Sequence, residues 1–203
     1  MVMYMIKAIF FDFDGVIGDT YDLGFELSKE FHEGLSEQDF RDHHNGNVFE
    51  EPKIRFKEGD MPVFFEKQKE RFLESGFFPL KNTIAEIKES FKLFVVSSTI
   101  DENLTYFLEL GGYDGFFEKI LGATTHPSKV EKFKMIFSEY ALDPSECLFV
   151  TDTIGDIIEA RKVGMGSIAV SWGYHDREML EKERPLALVE SPEDLLDAIR
   201  RLS

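Results

Sequence analysis

Four short apolar runs, at 6–11, 93–96, 148–150 and 168–170, are rich in β-branched and aromatic residues and closed by polar residues or glycine. Runs of that length without polar alternation suit strands buried on both faces, as in a parallel sheet. Residues 187–189 form a further candidate strand and 120–121 a shorter one. Helical patterns fall between them at 83–89, 102–110, 130–140, 157–163 and 194–202. Gly111 and Gly164 stand where helices end, and Ser191 followed by Pro192 resembles a helix start. Strand–helix alternation of this kind predicts a doubly wound parallel α/β sheet with right-handed crossovers. With 203 residues, 43% of them hydrophobic, the chain is long enough to bury a good-sized core.

Residues 18–78 break that rhythm. Leu23, Leu27, Phe31 and Leu35 recur every four residues and predict one amphipathic helix. Phe64, Phe65, Phe72 and Leu73 predict a second, starting near 60–62. With no strand between them, this reads as a small helical insertion after strand one, dividing the chain into 1–17 with 79–203 and an inserted 18–78. The stretch 42–59, containing HHNGN, carries no assignable pattern. His43 and His44, with no third ligand in view, read as solvated loop residues. Arg41, Lys53, Arg55 and Lys57 read mostly as a solvated face within reach of a substrate anion. His126 and His175 fall in loops and receive no role.

The formal net charge is −16, a field that repels nucleic-acid backbones and anionic membranes. It also repels phosphorylated substrates, so a phosphate site here must make its own positive pocket, which a bound cation would supply. No window approaches the ~18 apolar residues of a membrane span. The N-terminal apolar stretch is broken by Lys7 and Asp12 and lacks a basic leader, so a signal peptide is not expected and a cytoplasmic location is. The single cysteine, Cys147, lies in the apolar run ECLFV and reads as a buried small hydrophobe.

In FFDFDGV, the apolar run ends in two aspartates at alternate positions, Asp12 and Asp14, which share a face in an extended chain. Gly15 then lets the chain turn away. In open α/β sheets ligands bind beyond the carboxyl ends of the strands. There strand one delivers Asp12 and Asp14; KLFVV delivers Ser97, Ser98 and Thr99; LFV delivers Thr151 and Asp152, with Asp156 a turn later; and HPSK supplies Lys129. Carboxylates beside hydroxyl and ammonium donors suit a hard divalent cation and a phosphoryl group.

These residues resemble, in order, the four motifs of the haloacid dehalogenase-like superfamily of phosphohydrolases. DFDGVIGDT is similar to DxDGxxxD; Ser97, with Ser98 as rival, to the lone hydroxyl; Lys129, with Lys132 as rival, to the lysine; and Thr151–Asp156 to GDxxxD. AVSWGYH resembles the tail of phosphoglycolate-phosphatase-like members. The resemblance implies that Asp12 is a nucleophile forming an aspartyl-phosphate, Asp14 the general acid and base, Ser97 or Ser98 a phosphoryl-oxygen donor and Lys129 a neutralising cation. It implies Mg²⁺ held among Asp12, Asp14, Asp152 and Asp156, the second through its backbone carbonyl and the last by supporting the metal's waters or orienting Lys129. The insertion would be a helical cap and the substrate a small phosphorylated metabolite. A phosphomutase, or a quiet member that binds a phosphometabolite or a partner, are the alternatives. Thr151 replaces the usual glycine, and a β-branched side chain there is expected to crowd the backbone near the metal.

Overall fold

The computed structural model describes residues 5–50 and 52–203. The elements run β1 (Ala8–Phe11), α1 (Tyr21–Phe31), α2 (Glu37–His43), α3 (Asp60–Arg71), α4 (Lys81–Lys88), β2 (Lys92–Val96), α5 (Asp101–Leu110) and β3 (Lys119–Leu121). They continue with α6 (Lys129–Tyr140), β4 (Cys147–Thr151), α7 (Ile154–Lys162), β5 (Gly166–Val170), α8 (Arg177–Lys182), β6 (Ala187–Val189) and α9 (Pro192–Leu202). The six strands form one sheet in the order β3-β2-β1-β4-β5-β6, and every pairing is parallel.

Alternation along each strand divides the core in two. Ile9, Phe11, Leu93, Val95, Leu148 and Val150 face one side with residues of α4, α5 and α9. Ala8, Phe10, Phe94, Val96, Cys147 and Phe149 face the other with Phe133, Ile136 and Phe137 of α6. Both faces are covered, which is why the strands read as unbroken apolar runs. Chain order runs outward from β1 through β2 to β3, then returns to the far side of β1 at β4. The switch point, where an open sheet leaves a crevice at its carboxyl edge, therefore lies between β1 and β4.

The chain leaves the sheet after β1 and returns at the same place. The Phe78 N–H donates to the Ile17 carbonyl at 3.0 Å, and Gly18 and Phe77 form an isolated antiparallel bridge. Between them lie α1, α2 and α3. The helix predicted through Leu35 ends at Phe31, because Gly34 (φ 78°) turns the chain and Ser36 caps a new helix by accepting from the Asp39 N–H. Phe72 and Leu73 lie in a 3₁₀ turn beyond α3, with Phe72 buried and Leu73 exposed. The short helices α2 and α8 had no expectation in the sequence. No helix among the described residues is long and apolar enough to cross a membrane.

Candidate active site

The first motif sits in a tight loop anchored from below. The Asp12 N–H donates to the Val150 carbonyl (2.9 Å), which extends the β1–β4 ladder by one step to the switch point. Phe13 turns the other way and is fully buried, stacked on Phe107 with ring centroids 5.8 Å apart. Burial of this ring fixes the loop and leaves the flanking carboxylates on the crevice side. The Phe13 carbonyl accepts from the N–H groups of Ile17 and Gly18, both at 2.9 Å, which closes the turn.

Lys129, the first residue of α6, is the cation of the site. Its Nζ donates to Asp12 Oδ2 at 2.7 Å and to Asp156 Oδ2 at 2.6 Å, with all three side chains nearly inaccessible to solvent. Burial alone would lower its pKa, but Asp12 and Asp156 outweigh that and hold it above the usual lysine value. Lys132, the rival, is equally buried but points elsewhere: its Nζ donates to the Ser97 carbonyl at 2.5 Å. Burial and the nearby Lys129 charge push its pKa down to about 8.

Asp14 accepts three hydroxyl hydrogen bonds, from Thr99 Oγ1 (2.7 Å), Thr20 Oγ1 (2.9 Å) and Ser97 Oγ (3.2 Å). Burial still raises its pKa against them. Ser97 is fully buried beneath Asp14, whereas Ser98 lines the open crevice. Thr99 and Thr20 are partners that motif reasoning left without a role. Thr99 directly follows the serine pair, and Thr20 ends the first motif, so both were visible only as neighbours of named residues.

Asp152 stands apart from the lysine. Its Oδ2 accepts from the Tyr174 N–H at 2.7 Å, while its Oδ1 is buried with no hydrogen-bond partner. Burial pushes its pKa up to about 7, and desolvation likewise raises that of Asp12 well above the ordinary range. Its cradle is made by two glycines: a Cβ on Gly15 would lie 1.9 Å from Asp152 Oδ2, and one on Gly173 would lie 2.3 Å away. Gly173 and Tyr174 belong to the AVSWGYH stretch. Among the described residues no group of three or more His, Cys, Asp or Glu closes around a common point. Instead, Asp14 is taken by hydroxyls and Asp156 by Lys129 and Thr151.

Two expectations change. Thr151, the last residue of β4, does not crowd the site; its Oγ1 donates to Asp156 Oδ2 at 2.8 Å. Asp156 is thereby held below its ordinary pKa, since Lys129 and these hydrogen bonds override the effect of burial. His43 is not solvated, and His44 is half-buried. His43, at the end of α2, is buried, and its Nδ1 accepts from the N–H groups of Lys53 (3.2 Å) and Ile54 (3.3 Å). Burial pushes His43 down to about 4 and His44 to about 3, so both are neutral. His175 is fully buried: its Nδ1 accepts from the Ile154 N–H (3.0 Å) and its Nε2 donates to the Arg41 carbonyl (2.9 Å). It joins α2 to the start of α7, while Arg41 donates to the Tyr174 carbonyl at 2.9 Å. His126 accepts from the Ser128 N–H at 3.0 Å and stays outside the crevice.

Comparison with known proteins bears on the family and the fold. Residues 9–170 match the family model described as haloacid dehalogenase-like hydrolase. A phosphoglycolate phosphatase from Synechococcus elongatus is 27% identical over 97% of this chain and 99% of its own length. The pyrophosphatase PpaX of Bacillus pumilus is 27% identical over 65% of this chain and 63% of its own length. Among solved structures, a predicted phosphatase from Clostridium acetobutylicum superposes with a TM-score of 0.82 at 18% identity, covering 97% of this chain and 99% of that one. A haloacid dehalogenase-like protein from Streptococcus pneumoniae gives 0.80 at 19% identity, covering 96% and 98%. By its sequence match across most of its length and by its fold, the chain belongs to the haloacid dehalogenase-like hydrolase family.

Proposed function

We propose that the chain is a Mg²⁺-dependent phosphatase that hydrolyses a small phosphorylated metabolite through an aspartyl-phosphate. The observation that carries this reading is the Asp12–Lys129–Asp156 bridge beside a hydroxyl-held Asp14 and an unpartnered Asp152 oxygen. The relatives named phosphatases support the reaction class.

Asp12 and Asp152, with the Asp14 backbone carbonyl, are the residues that would hold Mg²⁺. The orphaned Asp152 Oδ1 and its glycine cradle fit an oxygen-loving ion, and Mg²⁺ characteristically needs only one or two carboxylates, keeping waters elsewhere. When bound, the ion supplies charge neutralisation and orientation of the phosphoryl group. Asp12 attacks phosphorus and the ester P–O bond breaks. Asp14, whose raised pKa favours a held proton, gives that proton to the departing alkoxide oxygen. Asp14 then takes a proton from water, whose oxygen attacks the aspartyl-phosphate and releases inorganic phosphate. Lys129 and Ser98, which lines the crevice, stabilise charge on the phosphoryl oxygens, Ser97 holds Asp14, and Asp156 fixes the lysine. Residues 18–78 serve as the cap that covers the site and reads the leaving group.

The test is phosphate release from p-nitrophenyl phosphate with Mg²⁺ and with excess EDTA, in the native protein and in Asp12→Asn. Release that needs the metal and is lost in the folded variant supports the reading. Undiminished release by the variant removes Asp12 as nucleophile.

A further inference from the structure

The crevice above Asp12 and Asp14 opens into a cavity of about 460 Å³. That lies within the ~300–1,000 Å³ of sites that hold drug-sized ligands. A phosphoester as short as phosphoglycolate would leave much of it empty. The wall contributed by residues 18–78 is mainly apolar, with Phe49, Ile54, Phe56, Met61, Phe64 and Phe65 lining the space. Phe64 is wedged edge-on between Phe56 and Phe65, with ring centroids 5.4 and 5.6 Å apart. These half-buried rings are held by one another, so the surface is set before any ligand arrives.

The two side-chain amides on the same wall are already engaged. Asn47 donates to Glu159 Oε1 at 3.0 Å and accepts from the backbone N–H groups of Phe49 and Glu50. Gln68 donates to Thr99 Oγ1 at 3.3 Å and accepts from Asn103. His43 and His44 line the cavity as neutral rings. Apart from Lys129, which is committed to Asp12 and Asp156, the exposed Arg55 is the sole cation among the described lining residues. A second anionic group on the substrate would meet an apolar wall inside a protein of net charge −16.

Building on the phosphatase reading, we propose that the substrate is a phosphate monoester of an uncharged, ring-bearing alcohol. Its phosphoryl group lies at Asp12 and Lys129, and its ring lies against Phe49, Phe56, Phe64 and Phe65. A short anionic phosphoester or pyrophosphate does not match this wall.

The test compares kcat/KM for benzyl phosphate, ethyl phosphate, phosphoglycolate and pyrophosphate; the first three release alkoxides of similar basicity. Benzyl phosphate is expected to lead each of the others by at least about tenfold, the scale on which apolar pockets discriminate. In Phe64→Ala, and separately in Phe49→Ala in case the first variant fails to fold, the benzyl-to-ethyl ratio falls toward one. Phosphoglycolate or pyrophosphate equalling or exceeding benzyl phosphate would overturn the substrate assignment while leaving the phosphatase reading intact. Calorimetric binding of benzylphosphonate against methylphosphonate and phosphonoacetate gives a readout independent of turnover. If no ester is hydrolysed the phosphatase reading fails, and tighter binding of benzylphosphonate still supports the apolar site, while equal or weaker binding overturns it.

Discussion

Replacing Gly15 with alanine isolates what the glycine cradle does for Asp152. Gly15 has a φ of +72°, where an alanine costs roughly 1–2 kcal/mol in backbone strain. The new Cβ would fall 1.9 Å from Asp152 Oδ2 and 2.7 Å from Tyr174 Cδ2, so the carboxylate must swing away. That movement breaks the 2.7 Å hydrogen bond from the Tyr174 N–H and leaves a buried carboxyl with neither oxygen satisfied, about 1–3 kcal/mol more. The sum is roughly 2–5 kcal/mol, and at ~2–4 °C per kcal/mol for a chain of this size the midpoint falls by about 4–20 °C. Gly34→Ala is the control: its φ is +78°, and a Cβ added there would meet nothing within 4 Å, so it carries the backbone strain alone. Thermal unfolding followed by circular dichroism measures both. Phosphate release titrated with Mg²⁺ then reads the displaced carboxylate as a right-shifted metal dependence in Gly15→Ala only. Equal destabilisation in the two variants, with an unchanged Mg²⁺ dependence, would refute the assignment of Gly15 as the residue that makes room for Asp152.

Thr151→Val removes the hydroxyl that Asp156 accepts from and is expected to cost about 1–3 kcal/mol in urea unfolding, with Thr151→Ser close to native. Lys129→Met should lower phosphate release by roughly 10²–10³-fold or more, the scale of losing one electrostatic donor, measured with circular dichroism as a check on folding. His43 provides a pH signature. Its folded pKa of about 4 lies below the unfolded value of ~6.5, so its stabilisation is complete above ~6.5 and is lost as pH falls toward 4, up to ~3 kcal/mol in all. His43→Asn, which offers an acceptor to the same two backbone N–H groups, should flatten that part of the urea midpoint-against-pH curve.

Sequence pattern carried the sheet well because each strand is buried on both sides and needs no partner to look like a strand. The acids and Lys129 were legible for a related reason: each follows a strand or begins a helix at the carboxyl edge, a position set by local order. What stayed hidden depends on distant contacts. His43 and His44 look polar and loop-like along the chain, yet His43 is buried and His44 half-buried because Ile54, Tyr174 and Phe40 pack around them. Thr151 departs from the family glycine, and its value becomes apparent only with Asp156 a hydrogen bond away. Lys129 was preferred to Lys132 from the sequence; what the sequence did not show is that Lys132, equally buried, turns to the Ser97 carbonyl.

The closed neck at Gly18 and Phe77 also bears on how such a chain can diversify. With departure and return pinned together by the Ile17–Phe78 hydrogen bond, β1 sees the same junction whatever the length between. Doubling a flexible loop adds only ~0.6 kcal/mol of closure entropy. Descendants of this architecture are therefore free to exchange or resize the inserted helices, and with them the wall they contribute to the crevice, while the register of the sheet is inherited unchanged.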